Sequence, residues 1–552
     1  MRTNTQKKPA QPAAALHKEP AKKKDSSIIL LIALLILIAI ISVIRLRLVS
    51  MPLERDEGEY AYIGQLILKG IPPYTEAYNM KLPGTYYMYA LVMALFGQSP
   101  SGIHIGLLLL NACTMLFLYF AVKNFFHAGT ALLTSGFYGI VATTQATLGL
   151  AAHATQFVVF FVSLAMLLLS LYRQSGTAKH LFFAGCALGM AFVMKQHAAF
   201  FMLFSMLFFI ALDYKTKPVS ALVKKGALLI AGLALPYLVV VLLMTASGAF
   251  DKFWFWTVTY ASQYASLNSW QEGWPLLQNV LKSFWKFVPW FCVLAPAGLI
   301  LVFYSEMSRG QKAMVITFLV FSILTITPGF NFRRHYFITL LPALSLLAAV
   351  AFETGARLLA KSIRYQVPAV VLLLALAAAC FVTLKSDDQY YFGKSPTALC
   401  KTIYGVNPFT ESVEVAKYLK NHSTPADKIA ILGSEPQIPF YAKRESATGY
   451  IYTYPMMEPQ GNNLKMQEEM ISEIEKSKPL YIVYCNDYYS WLGRPDSPKR
   501  IFEWAQKYYS DNYTLAGIVD IPDKGPSEYY WDSDVKAGPK YANNIWVYRR
   551  KK

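Results

Sequence analysis

The sequence predicts an all-α polytopic membrane domain of about eleven transmembrane helices, followed by a soluble α/β domain. Three observations carry this. Apolar residues make up 55% of the 552 and charged residues only 15%, with 35 Phe and 36 Tyr, which is too apolar for one soluble domain. The apolar residues come in runs of 15 to 22, the length that crosses roughly 30 Å of hydrocarbon. From about residue 385 the runs give way to short β-rich stretches alternating with amphipathic ones. The net charge of +19 is scattered over loops and tails rather than along one face. It therefore fits anionic lipid headgroups and excludes nucleic acid as the expected partner.

Residues 1–27, rich in Lys, Ala and Pro, read as a disordered basic tail. The membrane domain is expected over 28–384, starting with a span at 28–44. A signal peptide would also place basic residues before an apolar run. This run is long, lacks a small-x-small cleavage site and is followed by Arg45 and Arg47, so an uncleaved anchor is expected. Further spans are expected near 103–122, 129–148, 150–172, 179–195, 198–212, 226–245, 286–304, 313–330, 336–352 and 367–384. With the N-terminus cytoplasmic, the inner connections carry Lys123, Arg173, Lys179, Lys215, Lys217, Lys224, Lys225, Arg309, Lys312, Arg357, Lys361 and Arg364. Only Asp213, Glu306 and Glu353 oppose them, as short inner loops should read.

The same count sends the polar oddities to one outer face. These are a first outer loop at 51–100, the turn near 145–156, Lys195-Gln196-His197, a Trp-rich loop at 246–285, and Asn331 to His335. Residues 385–552 follow as an extracytoplasmic α/β domain, placing the chain in a plasma membrane such as the bacterial inner membrane. In it, helical patterning at 409–421, 463–477 and 498–509 alternates with the β-rich runs KIAILG, PLYIVYC, YTLAGIVD and NIWVYRR. Asn421-His422-Ser423 and Asn512-Tyr513-Thr514 match the N-glycosylation pattern, a match common by chance. Of the six cysteines, Cys113, Cys186, Cys292 and Cys380 fall in apolar runs and read as small core residues. Cys400 and Cys485 leave a disulfide open.

The first outer loop concentrates the chemistry. Asp56, Glu57 and Glu59 lie within four residues, followed by a Gly-Pro-rich turn, Lys81 and a tyrosine-rich run. Asp56 and Glu59 fit a capping box opening a helix with apolar residues at 60, 63, 66 and 67 that stops at Gly70. Capping leaves Glu57 unexplained, and carboxylates are costly beside an anionic headgroup layer. Function and capping are evenly matched on residues alone. Lys81 reads either as a snorkelling lysine or as a cation set where a lipid phosphate would lie. The run after it, with Tyr86, Tyr87 and Tyr89, resembles an interfacial helix or an aromatic belt. Taken singly, His153 and His197 read as packing residues. Arg333 and Arg334, on the outer side against the charge bias, suit bidentate phosphate binding or headgroup anchoring. No Walker, GxSxG, HExxH or GxGxxG motif supports a soluble chemistry.

Together these pieces resemble the GT-C membrane glycosyltransferases of the protein O-mannosyltransferase and aminoarabinose-transferase (ArnT) type, and the Rgt-like enzymes of rhizobial lipopolysaccharide. The resemblance rests on Asp56-Glu57, the GxxPY turn from Gly70 to Tyr74, Lys81 to Pro83, GMAFVMKQ ending at Gln196, and RHYFITLLPAL from Arg334 to Leu344. It extends to about residue 384 and is best over the first 200. Where an acid sometimes stands near the start of the fourth span, this chain has Gln156.

The resemblance implies a polyprenyl-phosphate sugar donor, a cell-envelope acceptor (glycan, lipid or protein) and inversion at the anomeric carbon. It implies Asp56 as base with Glu57 in support. Lys81, Arg333 or Arg334, and Lys195 would hold the donor phosphate. Glu59, Tyr60, Tyr86, His153, Gln156 and His335 are the candidate cavity residues. No cofactor and no metal ligand is assigned, and a divalent metal stays open. A transporter would show repeated spans and mid-membrane charges, which are lacking here. A non-catalytic envelope scaffold is the remaining alternative.

Overall fold

The computed structural model describes residues 23–214, 217–360, 367–535 and 538–551. The basic stretch 1–22, and with it most of the expected tail, lies outside them, as do Lys215, Lys361 and Arg364.

A helix coincides with every expected span. Seven are long and apolar enough to cross a membrane: Ser27–Arg47, Pro100–Phe125, Ala154–Ser175, Gln196–Asp213, Val219–Ala246, Arg334–Leu359 and Ala369–Ser386. Among the described residues Trp270–Phe287 and Pro289–Tyr304 make a further apolar pair, bent by 111° where Val288 and Pro289 interrupt it. Ala128–Val141, Ala178–Met194 and Arg309–Leu324 are shorter helices. So is Gly84–Phe96, which was expected as the interfacial run. The membrane-domain class read from the sequence is the one observed.

The expected span at 129–148 stops early, at Val141. Thr143 and Thr144 turn their hydroxyls back onto the Ile140 and Val141 carbonyls, at 2.7 and 2.8 Å. Buried Arg45 then takes the Ala142 and Gly149 carbonyls, at 3.2 and 3.0 Å. Side chains thus satisfy the groups that a continued helix would have paired. The freed turn, through Leu148 in the left-handed region (φ 53°), feeds directly into His153.

The C-terminal domain carries a five-stranded sheet in the order β1 (Ile429–Leu432), β2 (Tyr481–Asn486), β5 (Asn544–Arg550), β3 (Tyr513–Asp520), β4 (Glu528–Trp531). Only the β1–β2 pair is parallel. Four of these strands are the β-rich runs read from the sequence, and the helices Phe409–Asn421, Asn463–Ser477 and Arg500–Asn512 match the helical patterning. The short strand β4 is additional. Cys400 and Cys485 are both free. Cys400 packs with Ile44, Leu48 and Tyr390, and Cys485 in the core of the sheet, so they belong to separate clusters.

The soluble domain is locked onto the first loop. Arg55 donates to Ser434 O (2.6 Å), Asn407 Oδ1 (3.0 Å) and Glu435 Oε1 (2.9 Å). Tyr62 accepts from the Ser446 amide (2.7 Å), and the Tyr78 amide donates to Gly449 O (2.8 Å). At Gly58 a Cβ would lie 2.8 Å from the Gln437 backbone nitrogen, so the acidic helix and Gln437–Ala442 touch backbone to backbone. The Trp-rich loop closes the same region: Trp256 stacks on Tyr78, Tyr260 bonds Glu458, and Lys252 pairs with Glu469.

Candidate active site

The site begins with the acidic helix Arg55–Leu68. Its N-cap is Glu54, which forms a capping box with Glu57, two residues earlier in each case than the Asp56–Glu59 box expected. Capping therefore uses Glu54 and Glu57 and leaves Asp56 free for other contacts. Glu57 is fully buried. It accepts from the Ala152 amide (2.6 Å) and lies 3.0 Å from His104 Nε2. Its oxygens are spent holding the acidic helix to the 152 turn and the second span.

Asp56 is half-buried. Its Oδ1 accepts from Lys81 Nζ and from the Tyr452 hydroxyl, both at 2.9 Å. Its Oδ2 lies 3.9 Å from His153 Nδ1 and 3.9 Å from His335 Nε2. The two imidazoles stack with centroids 4.0 Å apart. Lys81 also donates to Glu59 Oε2 (2.7 Å), under the rings of Tyr60 and Tyr452. Glu59 Oε1 takes the Tyr86 hydroxyl (2.7 Å), and Tyr89 bonds Ala152 O (2.7 Å). These buried tyrosines belong to the site's wall, not to an aromatic belt.

Burial pushes the Asp56 carboxyl up, but Lys81 together with the His335 and His153 imidazoles holds it well below the usual carboxylate range. Glu59, more deeply buried, is raised, burial exceeding the pull of Lys81. Burial and then the neighbouring Asp56 and Glu57 charges push Glu54 well up. Burial pushes His153 down to about 4, so its ring is neutral at physiological pH. The cluster thus separates its carboxyl groups, with Asp56 and Glu57 lowered and Glu54 and Glu59 raised.

Lys195 arrives through a tight backbone approach. A Cβ at Gly84 would lie 2.5 Å from Val193 O, so only glycine lets the Gly84–Phe96 helix reach the 193–196 turn. Thr85 then bonds Met194 O (3.0 Å) and Gln196 bonds Met80 O (2.9 Å). Lys195 Nζ sits 3.5 Å over the Tyr336 ring and pairs with no carboxylate among the described residues. It lines a narrow crevice with Thr155, His197, Tyr336 and Thr339. Burial pushes its ammonium down to about 7, against the attraction of Asp56. His197 accepts the packing role read for it, with Nδ1 3.0 Å from Thr325 O.

The two arginines part company. Arg333 is exposed and within the electrostatic reach of Tyr264, Tyr336, Tyr454 and Asp56, whereas Arg334 is turned toward Tyr404. Successive residues leaving a segment with Phe330 and Phe332 in the left-handed region (φ 45° and 39°) point differently, so Arg334 does not join the cluster. Gln156 also stays apart. It is fully buried and reaches back to Gly149 O (3.4 Å).

Sequence reasoning missed Glu54, His104 and Tyr452. Tyr452 lies 396 residues from Asp56, in a tyrosine-rich stretch without helix or strand periodicity, and only the docking of the two domains reveals it.

Residues 80–244 match the family model described as dolichyl-phosphate-mannose-protein mannosyltransferase. No curated protein matches the sequence. Among solved structures, ArnT from Cupriavidus metallidurans bound to undecaprenyl phosphate is similar, with a TM-score of 0.59. Its identity is 14%, over 93% of this chain and 97% of that one. The chain shares its fold with that structure, and the stretch 80–244 carries the likeness to the mannosyltransferase family. The Archaeoglobus fulgidus oligosaccharyltransferase tethered with an acceptor peptide shares the GT-C fold at TM-score 0.52 and 13% identity, over 91% of this chain and 74% of that one. Arabinofuranosyltransferase AftD from Mycobacteria does so at 0.53 and 13%, over 94% and 39%. The helical membrane domain with a small C-terminal sheet domain thus has the fold of these structures, the GT-C-like class expected.

Proposed function

We propose that the chain moves a monosaccharide from a polyprenyl-phosphate donor to a cell-envelope acceptor (a glycan, lipid or protein), with inversion, at the outer face of the plasma membrane. The N-terminus is then cytoplasmic and the C-terminal domain extracytoplasmic. The observation that carries this reading is Asp56, a carboxylate held ionised by Lys81 with one oxygen unbonded, beside the cations Lys195 and Arg333. The undecaprenyl phosphate bound to ArnT and the acceptor peptide tethered to the archaeal oligosaccharyltransferase support a lipid-phosphate donor and an external acceptor.

In the reaction, the acceptor hydroxyl attacks the anomeric carbon and passes its proton to Asp56 Oδ2. The bond to the phosphate oxygen breaks on the opposite face, and the electron pair leaves with the lipid phosphate. Two of the three Lys81 N–H groups are committed to carboxylates, leaving one for the phosphate. Lys195 and Arg333 add charge where the leaving group becomes more negative. The exposed Trp270, Trp274, Leu281 and Trp285 of the amphipathic helix Trp270–Phe287 seat the mouth in the bilayer interface.

With a Lys195 pKa of about 7, its charge is present below that value and lost above it. Donor kcat/KM should therefore decline as pH rises from about 6 to about 9, and Lys195→Arg, charged throughout, should flatten this limb. A limb unchanged in the arginine variant would remove Lys195 from the phosphate site.

One observation favours a metal-assisted version. Both ring nitrogens of His153 are buried without hydrogen-bond partners. One ligand atom each from Asp56, His153 and His335 lie within 4.8 Å of one another. This donor set fits a divalent ion, which would supply Lewis-acid charge to the departing phosphate. His153→Gln with His335→Gln should abolish one equivalent of Mn2+ or Zn2+ binding to the purified protein. Failure of the unsubstituted protein to bind either ion would exclude this version.

A further inference from the structure

We propose that Tyr452, delivered by the C-terminal domain, is a positioning residue for Asp56. The inference rests on the reading of Asp56 as the base. A carboxylate oxygen has two lone-pair sites. On Asp56, Lys81 and Tyr452 fill both sites of Oδ1, each at 2.9 Å. Among the described residues, Oδ2 has the two imidazoles at 3.9 Å, beyond hydrogen-bonding range. Lys81 alone would leave the carboxylate free to pivot about its ammonium. Tyr452 is the second fixed point, so one oxygen is held and the other is presented to the acceptor.

The arm that carries Tyr452 is built for this. Ser434 is its hub. The Ser434 carbonyl accepts from Arg55 Nε (2.6 Å), and its hydroxyl meets the Thr453 amide (3.0 Å) and hydroxyl (2.9 Å). Arg55 immediately precedes Asp56, and Thr453 immediately follows Tyr452. One serine of the soluble domain therefore fixes the register of both partners. Thr453 Oγ also donates to Ser490 O (2.9 Å), and Tyr454 donates to Tyr489 O (2.5 Å). On the other side of Tyr452, Gly449 O takes the Tyr78 amide (2.8 Å). The soluble domain is consequently part of the catalytic centre and not an appended binding module.

The test is steady-state sugar transfer by the purified full-length chain, using a polyprenyl-phosphate sugar that it turns over. Tyr452→Phe should lower kcat about tenfold while the KM values for donor and acceptor stay within about twofold. Tyr450→Phe is the control. It removes a hydroxyl from the same arm, one that donates to Glu469 (2.7 Å) and is not bonded to Asp56, and it should leave kcat unchanged. Equal losses in the two variants, or a Tyr452→Phe effect confined to KM, would overturn the positioning role. If Tyr452→Phe is unimpaired while Asp56→Asn is inactive, this inference fails and the base assignment stands. If Asp56→Asn is active, the base assignment itself fails.

Discussion

Asp56→Asn should lower kcat for sugar transfer by about a thousandfold, or about 4 kcal/mol of transition-state stabilisation, without weakening donor binding. The amide keeps the shape of the carboxylate but accepts no proton at neutral pH, so the attacking hydroxyl loses its base. Lys81 would still pair with Glu59 at 2.7 Å and would be relieved of one carboxylate. Its hold on a phosphate can then only strengthen, and donor KM should stay level or fall. Melting temperature should change little, because the capping box uses Glu54 and Glu57 rather than Asp56. A large rise in donor KM with kcat preserved would mean that Asp56 binds and does not react.

The second large effect is expected from Lys81→Met. The wild-type Asp56 carboxyl, held well below its usual range by Lys81, is ionised across the workable pH range and should give no acidic limb in kcat/KM. Its contribution to stability is present above the unfolded-state value and is lost only when pH falls through the lower folded value. Without the ammonium, burial is opposed only by the smaller pull of the His335 and His153 imidazoles, and the Asp56 pKa rises. An acidic limb should then appear, with activity falling as pH drops toward neutrality and below. At pH 7, kcat should fall by a hundredfold or more, on the order expected for losing a preorganised charge. Asp56 and Glu59 would also be left without their shared cation, at a cost of about 3 kcal/mol. That deficit should shrink on acidification, as the orphaned carboxylates take up protons. Chemical denaturation at pH 5 and at pH 7 would measure it.

The membrane domain was legible because hydrophobic run length is a local property, written residue by residue. The four strands of β-branched and aromatic runs were legible for the same reason. Asp56 and Lys81 could be suspected from sequence, since charged groups beside a bilayer need a partner, and their pairing lies within one loop. The exact cap could not be read. Glu54–Glu57 and Asp56–Glu59 have the same spacing, and only the docking of His104 and the Ala152 amide onto Glu57 decides between them. The early stop at Val141 depended on Arg45, nearly a hundred residues upstream in sequence. Arg333 and Arg334 looked equivalent as a pair, and a strained backbone separated them. Tyr452 had no sequence signal because its partner lies in the other domain. What was missed is what tertiary contact alone determines.

The most direct test of the central claim is to incubate purified protein, wild type and Asp56→Asn, with polyprenyl-phosphate sugars and an envelope acceptor extract, and to measure release of polyprenyl phosphate together with the anomeric configuration of the product. The account predicts acceptor-dependent release by the wild type with an inverted product, and loss of that release in Asp56→Asn. Release that persists in Asp56→Asn, or a product of retained configuration, would contradict it.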